Sequence, residues 1–169
     1  MDHDAASRWR AIEELHPASF AWARACAGGE SEAEDVLQTV YEKIADGRAT
    51  FGGRASLKTW LFGVIRWTAE EHRRRARARP SPPRVSEAPP SPEESASRSE
   101  AARALLGLLA RLPERQRQVL HLVFYEDMTV EAAADAMGVT VGTARVHYDR
   151  AKKRMAELLI EKEAAHAGR

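Results

Sequence analysis

A chain of 169 residues, 44% hydrophobic and with a formal net charge of +1, has the length for one domain or two small ones. The near-neutral balance excludes a protein that binds polyanions over its whole surface. The single cysteine, Cys26, excludes an internal disulfide framework. No apolar run approaches a membrane span, and the polar N-terminus MDHDAASRWR lacks a signal-peptide core. The expected setting is the reducing cytoplasm with no direct membrane insertion, and Cys26 is expected to pack as a small hydrophobe.

Apolar spacing is helical throughout, and nothing reads as a strand. Trp9, Ile12 and Leu15 form a stripe on a first helix. Pro17 suits the first turn of a second, which carries Phe20, Trp22, Ala23 and Cys26 until Gly28-Gly29 breaks it. Ser31 is expected to cap a third helix, with Glu34 completing a capping box. That helix presents Val36, Leu37, Val40, Tyr41 and Ile44 on one face. Its charge is acidic: Glu30, Glu32, Glu34, Asp35, Glu42 and Asp46 stand against Lys43 alone. A loop from Gly47 to Ala55 contains Phe51-Gly52-Gly53. Ser56 or Leu57 opens a fourth helix, with Trp60, Leu61, Val64, Ile65 and Thr68 on one face and Trp60 assigned to the core. It runs into an arginine stretch holding Arg66, Arg73, Arg74, Arg75, Arg77 and Arg79. The segregation of charge suggests a protein partner for the acidic face and phosphates for the basic one.

Six of the eight prolines fall between Pro80 and Pro92. The segment from Pro80 to Arg98 has almost no apolar side chains to offset the entropy of ordering, so a flexible, partly extended linker is expected. At roughly 3.3 Å per residue it spans at most about 60 Å. Beyond it, Ala101 to Ala110 is a leucine-rich helix and Pro113 starts another. Leu109, Leu112, Val119, Leu122 and Phe124 are expected to form the second core. The chain therefore divides into residues 1–79, a linker at 80–98, and residues 99–169: an all-α protein of two small helical domains with thin cores.

The most specific stretch follows. Val130, Ala133, Ala134 and Met137 form a helical stripe that ends at Gly138, which is suited to left-handed backbone. Thr140 is a natural N-cap for the next helix. Gly142 and Thr143 keep that helix's first turn small, and Arg145, Arg150, Lys152, Lys153 and Arg154 follow. This is a helix-turn-helix, whose second helix enters the DNA major groove.

Together these residues resemble bacterial RNA polymerase sigma factors of the extracytoplasmic-function (ECF) group. The resemblance rests on Ala33-Glu34-Asp35-Val36-Leu37-Gln38, on Leu57-Lys58-Thr59-Trp60-Leu61-Phe62 with Arg73-Arg74-Arg75, and on Leu112-Pro113-Glu114-Arg115-Gln116-Arg117-Gln118-Val119. It continues through Met137-Gly138-Val139-Thr140-Val141-Gly142-Thr143-Ala144-Arg145. It implies a protein that binds core RNA polymerase at its clamp and flap and directs initiation through −10 and −35 promoter contacts. The helix bearing Asp35, Gln38 and Glu42 would dock on the clamp. Lys58, Arg66, Trp67, Arg73, Arg74 and Arg75 would meet the −10 element, where a melted base needs a π-face and nearby cations. Arg145, Val146, Asp149 and Arg150 would reach −35 base edges, and Thr143, His147, Lys152 and Lys153 the phosphates. An anti-sigma factor is a further expected partner.

Departures from the group's pattern mark where its promoter preference is not transferable. Trp67 stands where the group usually has a polar residue, at the edge of the apolar face, with stacking on DNA and packing both open. Val146 replaces a frequent Ser, His147 a frequent Arg, and Glu71 a frequent Asp. Two other readings are weaker. A free-standing LuxR-like helix-turn-helix regulator leaves the first 79 residues unexplained. An enzyme is not expected: the six histidines form no metal-binding pair, the lone cysteine lacks the context of a nucleophile, and no phosphate loop follows a strand. No cofactor or metal is called for.

Overall fold

The computed structural model describes residues 2–78 and 100–167. The expected linker lies outside the described residues. Every regular element among the described residues is helical, so the all-α expectation holds.

The first half contains α1 (Asp2–Glu14), α2 (His16–Ala27), α3 (Glu30–Ala45) and α4 (Leu57–Ala78). Pro17 occupies the first turn of α2, where its missing N–H costs nothing. Gly28 ends α2 at φ 95°, its N–H donating to the Arg24 carbonyl at 3.0 Å. The expected cap at Ser31 is corrected. The helix begins at Glu30 with Gly29 as its N-cap and no side-chain cap bond, because the extended Gly29 backbone starts the helix before Ser31 is reached. Glu30 and Glu32 then lie in the first turn, where negative charge suits the helix dipole. Ser56 caps α4, its Oγ accepting from the Thr59 N–H at 3.1 Å.

Trp22 anchors this half. It is fully buried, its Nε1–H donates to the Phe62 carbonyl at 2.9 Å, and its ring stacks on Phe62 at 5.8 Å. Ile12, Val36, Val40, Leu61 and Ile65 complete the packing. Trp60 corrects a second expectation. It is only partly buried, its ring tilted against Phe51 at 5.5 Å. Helices pack on two sides of α4, so Leu61, Phe62, Ile65 and Ala69 take the core and Trp60 is rotated to its rim.

The second half contains α5 (Glu100–Ala110), α6 (Glu114–Leu120), a π-helical turn at His121–Tyr125, α7 (Val130–Met137) and α8 (Val141–Ala167). The π turn closes with Glu126 N–H donating to the His121 carbonyl at 3.3 Å. It also explains a third correction. Phe124, expected in the core, is 62% exposed. The wide turn carries residues past the α-helical phase, so Leu122 stays buried while Phe124 and Tyr125 swing outward. Phe124 instead meets the Tyr148 ring at 6.2 Å. Val119, Leu122, Ala133, Met137, Ala151 and Leu158 form the second core.

The two halves share one continuous apolar cluster. Helix α4 lies along α7, and α2 meets α6. The Trp22 ring also stacks with His121 of the second half at 5.7 Å. Each thin core is thus extended by the other.

Candidate nucleic-acid interface

The turn between α7 and α8 has the chemistry its sequence announces. Gly138 sits at φ 63°, and its N–H donates to the Asp135 carbonyl at 3.1 Å. Thr140 Oγ1 accepts from the Thr143 N–H at 3.1 Å and bonds the Thr143 hydroxyl at 2.9 Å. Thr129 caps α7 in the same way through the Ala132 N–H. A Cβ on Gly138 would come within 2.5 Å of the Arg66 guanidinium, besides adopting left-handed backbone. Gly138→Ala is therefore expected to lower stability by about 1–2 kcal/mol, read as a lower urea midpoint at unchanged slope.

Ala144 and Ala151 face inward on α8, which leaves Thr143, Arg145, Val146, Asp149, Arg150, Lys152 and Lys153 exposed. Arg145 is bridged to Glu131 of α7 at 2.8 Å. Both side chains are more than half exposed, so the bridge is weak and a DNA partner can replace it. The Glu131 carboxyl is held below its usual range by a backbone hydrogen bond and by Arg145. Asp149 pairs with Lys152 at 3.1 Å, and the Lys152 ammonium lies 4.3 Å from the Tyr148 ring centre. His147 is partly buried. Burial, then Arg115 and Arg150, push its imidazole below the ordinary range.

The −10 candidates fall on one long helix but not into one environment. Arg74 and Arg75 are exposed, and Arg75 pairs with Glu71 at 3.2 Å. Trp67 is 49% exposed, which settles its position: it lies outside the core, with the Lys43 ammonium 4.3 Å from its ring centre. It borders a groove of about 730 Å³ between the 48–55 loop and α4, also lined by Phe51, Trp60 and Val64. Lys58, Arg66 and Arg73 are instead turned toward the second half. Lys58 pairs with Glu126 at 2.7 Å. Arg73 bridges Glu70 and Glu114, both at 2.8 Å. Arg66 lies under Gly138, and burial lowers the pKa of its guanidinium.

Asp35, Gln38 and Glu42 share the exposed face of α3, and Gln38 Nε2 donates to Glu42 Oε1 at 3.3 Å. Beside them runs a groove of about 600 Å³, lined by His16, Phe20, Leu37 and Tyr41 among others. Its floor is apolar and its rim acidic, which suits a protein partner better than DNA.

Lys43 is the residue sequence reasoning missed. It is buried, donating to Thr68 Oγ1 at 3.1 Å and pairing with Glu71. The Lys43 hydrogen bond, outweighing partial burial, holds the Glu71 carboxyl below its usual range. The signal was present: the lone lysine in the acidic helix sits three residues after Val40 and seven after Val36, on the apolar stripe. Lys43 thereby fixes α3 to α4 beneath Trp67.

Comparison with known proteins places this geometry. Residues 11–79 match sigma-70 region 2 and residues 102–155 match sigma-70 region 4. The ECF RNA polymerase sigma factor RpoE of Cereibacter sphaeroides is 32% identical over 133 residues, covering 75% of this chain and 71% of that one. The ECF RNA polymerase sigma factor SigM of Mycobacterium tuberculosis is 29% identical over 137 residues, covering 81% and 69%. A solved structure of the sigma factor RpoE in complex with the anti-sigma factor NepR, from Bartonella quintana, aligns with a TM-score of 0.69. The sequence identity there is 26%, covering 88% of this chain and 95% of that one.

Proposed function

We propose, from the premise that the chain belongs to the extracytoplasmic-function RNA polymerase sigma factors, a division of labour among its helices. The protein binds core RNA polymerase and directs promoter-specific transcription initiation. Helix α8 reads the −35 element, with Arg145, Val146, Asp149 and Arg150 at base edges and Thr143, His147, Lys152 and Lys153 at phosphates. Arginine supplies a bidentate pair for guanine, and Asp149 accepts from a cytosine amino group. Helix α4 serves the −10 element. Trp67 offers a stacking face to an unpaired base, and Lys58, Arg66, Arg73, Arg74 and Arg75 neutralise phosphates. Asp35, Gln38 and Glu42 dock on the polymerase clamp, and part of the second domain meets the flap. The domains follow the same division, with residues 1–79 and 99–169 joined by a tether at 80–98.

One observation carries this reading. A helix capped by Thr140 after a left-handed Gly138 presents an exposed basic face on the chain that also exposes an acidic docking helix. The likeness to a sigma factor captured on NepR supports an anti-sigma factor as a third partner. Among the described residues no helix is long and apolar enough to cross a membrane, and we place the protein with polymerase in the cytoplasm. As an initiation factor it leaves bond formation to polymerase. The free-standing regulator leaves the match at residues 11–79 without a role.

The docking assignment is tested with the full chain. Asp35→Lys combined with Glu42→Lys should weaken core polymerase binding at least about tenfold, because it reverses the charge on the face proposed to dock. Thermal unfolding should be unchanged, since both side chains are exposed. Titration of labelled protein with core polymerase measures it, and undiminished affinity removes α3 from the interface.

A further inference from the structure

Against the exposed ring of Trp67 lies a group that an ordinary core would exclude. Lys43 is 8% exposed, on the stripe of α3 that otherwise carries Val36 and Val40. Burying an ammonium is costly, and an apolar residue would pack at this position without that cost. Three partners offset it. The ammonium donates to Thr68 Oγ1 at 3.1 Å and to the Glu71 carboxylate, and it lies over the Trp67 ring, 4.3 Å from its centre. Thr68 and Glu71 both belong to α4, close after Trp67 in the chain. The cation is therefore tied to the same helix that carries the indole. It also lines the groove that Trp67 borders.

We propose that Lys43 is a positioning residue for Trp67: anchored by Thr68 and Glu71, its ammonium holds the indole at the rim of α4 in one orientation, and so sets which unpaired base the −10 contact prefers. The inference rests on the assignment of Trp67 to the −10 element made above.

The chemistry favours a held ring. At 49% exposure, packing restrains the Trp67 side chain incompletely. A free rotor must give up its motion when a base stacks on it, whereas a ring already held loses little more. Cation–π attraction is strongest where the cation is shielded from water. The Lys43 and Glu71 side chains are 10% and 19% exposed, so salt screens this set less than the surface pairs of α8. An ammonium over the ring covers at most one of its two faces, and the exposure of Trp67 leaves indole surface for a base. The role is also separable from folding. Glu71 has a second cation, Arg75 at 3.2 Å, so its carboxylate keeps a partner when the ammonium is removed.

The test uses the full chain bound to core polymerase, with run-off transcription from a promoter library randomised across the −10 element. Trp67→Leu should lower base discrimination at one −10 position by at least about fivefold, the scale of one lost base stack. Lys43→Met keeps an unbranched stem without the ammonium. It should lower discrimination at that same position by at least about threefold, while other positions keep theirs. In the Trp67→Leu background, Lys43→Met should change that discrimination no further. Circular dichroism should show wild-type helix content. Glu71→Gln replaces the charged anchor with a neutral one of the same size; it should act in the same direction, and it carries the test if Lys43→Met fails to fold. If Trp67→Leu leaves discrimination intact at every position, the −10 assignment of Trp67 falls and the inference with it. If Trp67→Leu lowers it but Lys43→Met leaves it unchanged, or reduces transcription equally from all −10 sequences, the positioning role alone is overturned.

Discussion

Trp22→Ala is expected to destabilise the protein by about 3–5 kcal/mol, the largest effect of any single truncation here. The ring is fully buried, stacked with both Phe62 and His121, and hydrogen-bonded to the Phe62 carbonyl. Alanine would leave a cavity bordered by α2, α4 and the π turn. Against a typical total of about 5–15 kcal/mol, that loss would populate the unfolded state measurably at physiological temperature. Urea denaturation followed by far-ultraviolet circular dichroism measures it. Trp22→Phe separates the contributions: it keeps a ring in the stack but removes the N–H, and should cost about 1–2 kcal/mol. A loss below about 1 kcal/mol for the alanine variant would show that Trp22 does not anchor the core.

Arg145→Ala should reduce −35-dependent run-off transcription by roughly 5- to 150-fold, corresponding to the loss of about 1–3 kcal/mol from one bidentate guanine contact. Core polymerase affinity should remain at the wild-type value. Stability should hardly move, because the Glu131 bridge is exposed and weak. Arg145→Lys should not restore full activity, since an ammonium cannot reproduce the planar two-donor fork. Transcription from a promoter retaining only its −10 element supplies the control. An equal fall in core binding would move Arg145 from the promoter to the polymerase interface.

The elements legible in the sequence are those fixed by local chemistry. A glycine that must be left-handed at 138, a threonine that must cap at 140 and a proline tolerated at 17 each determine their own turn. The exposed face of α8 follows from the inward alanines at 144 and 151. What escaped the sequence was decided at a distance. Whether Ser31 or Gly29 starts α3 depends on one residue of helix phase. Trp60 yields the core to Phe62 because a second layer of helices covers α4, and nothing within its own heptad announces that layer. Lys43 was hidden by composition: it stood out only as the one basic residue in an acidic helix, although its position placed it on the buried stripe. The pairing of Lys58 with Glu126 joins residues 68 positions apart, beyond any local pattern.

The π turn at His121–Tyr125 also constrains how this chain can change in length. It accommodates more backbone than an α-helical path between the same ends, and that surplus sets the angular phase of everything after it. Excising a single residue such as Val123 would let the helix relax to ordinary pitch. Each following side chain would then rotate by about 100° around the axis. Glu126 would swing away from Lys58, His121 would lose the Tyr125 ring stacked on it at 5.6 Å, and α7 would meet α4 in a different register. The segment between α6 and α7 should therefore tolerate substitution at its outward aromatics, Phe124 and Tyr125, far better than it tolerates deletion.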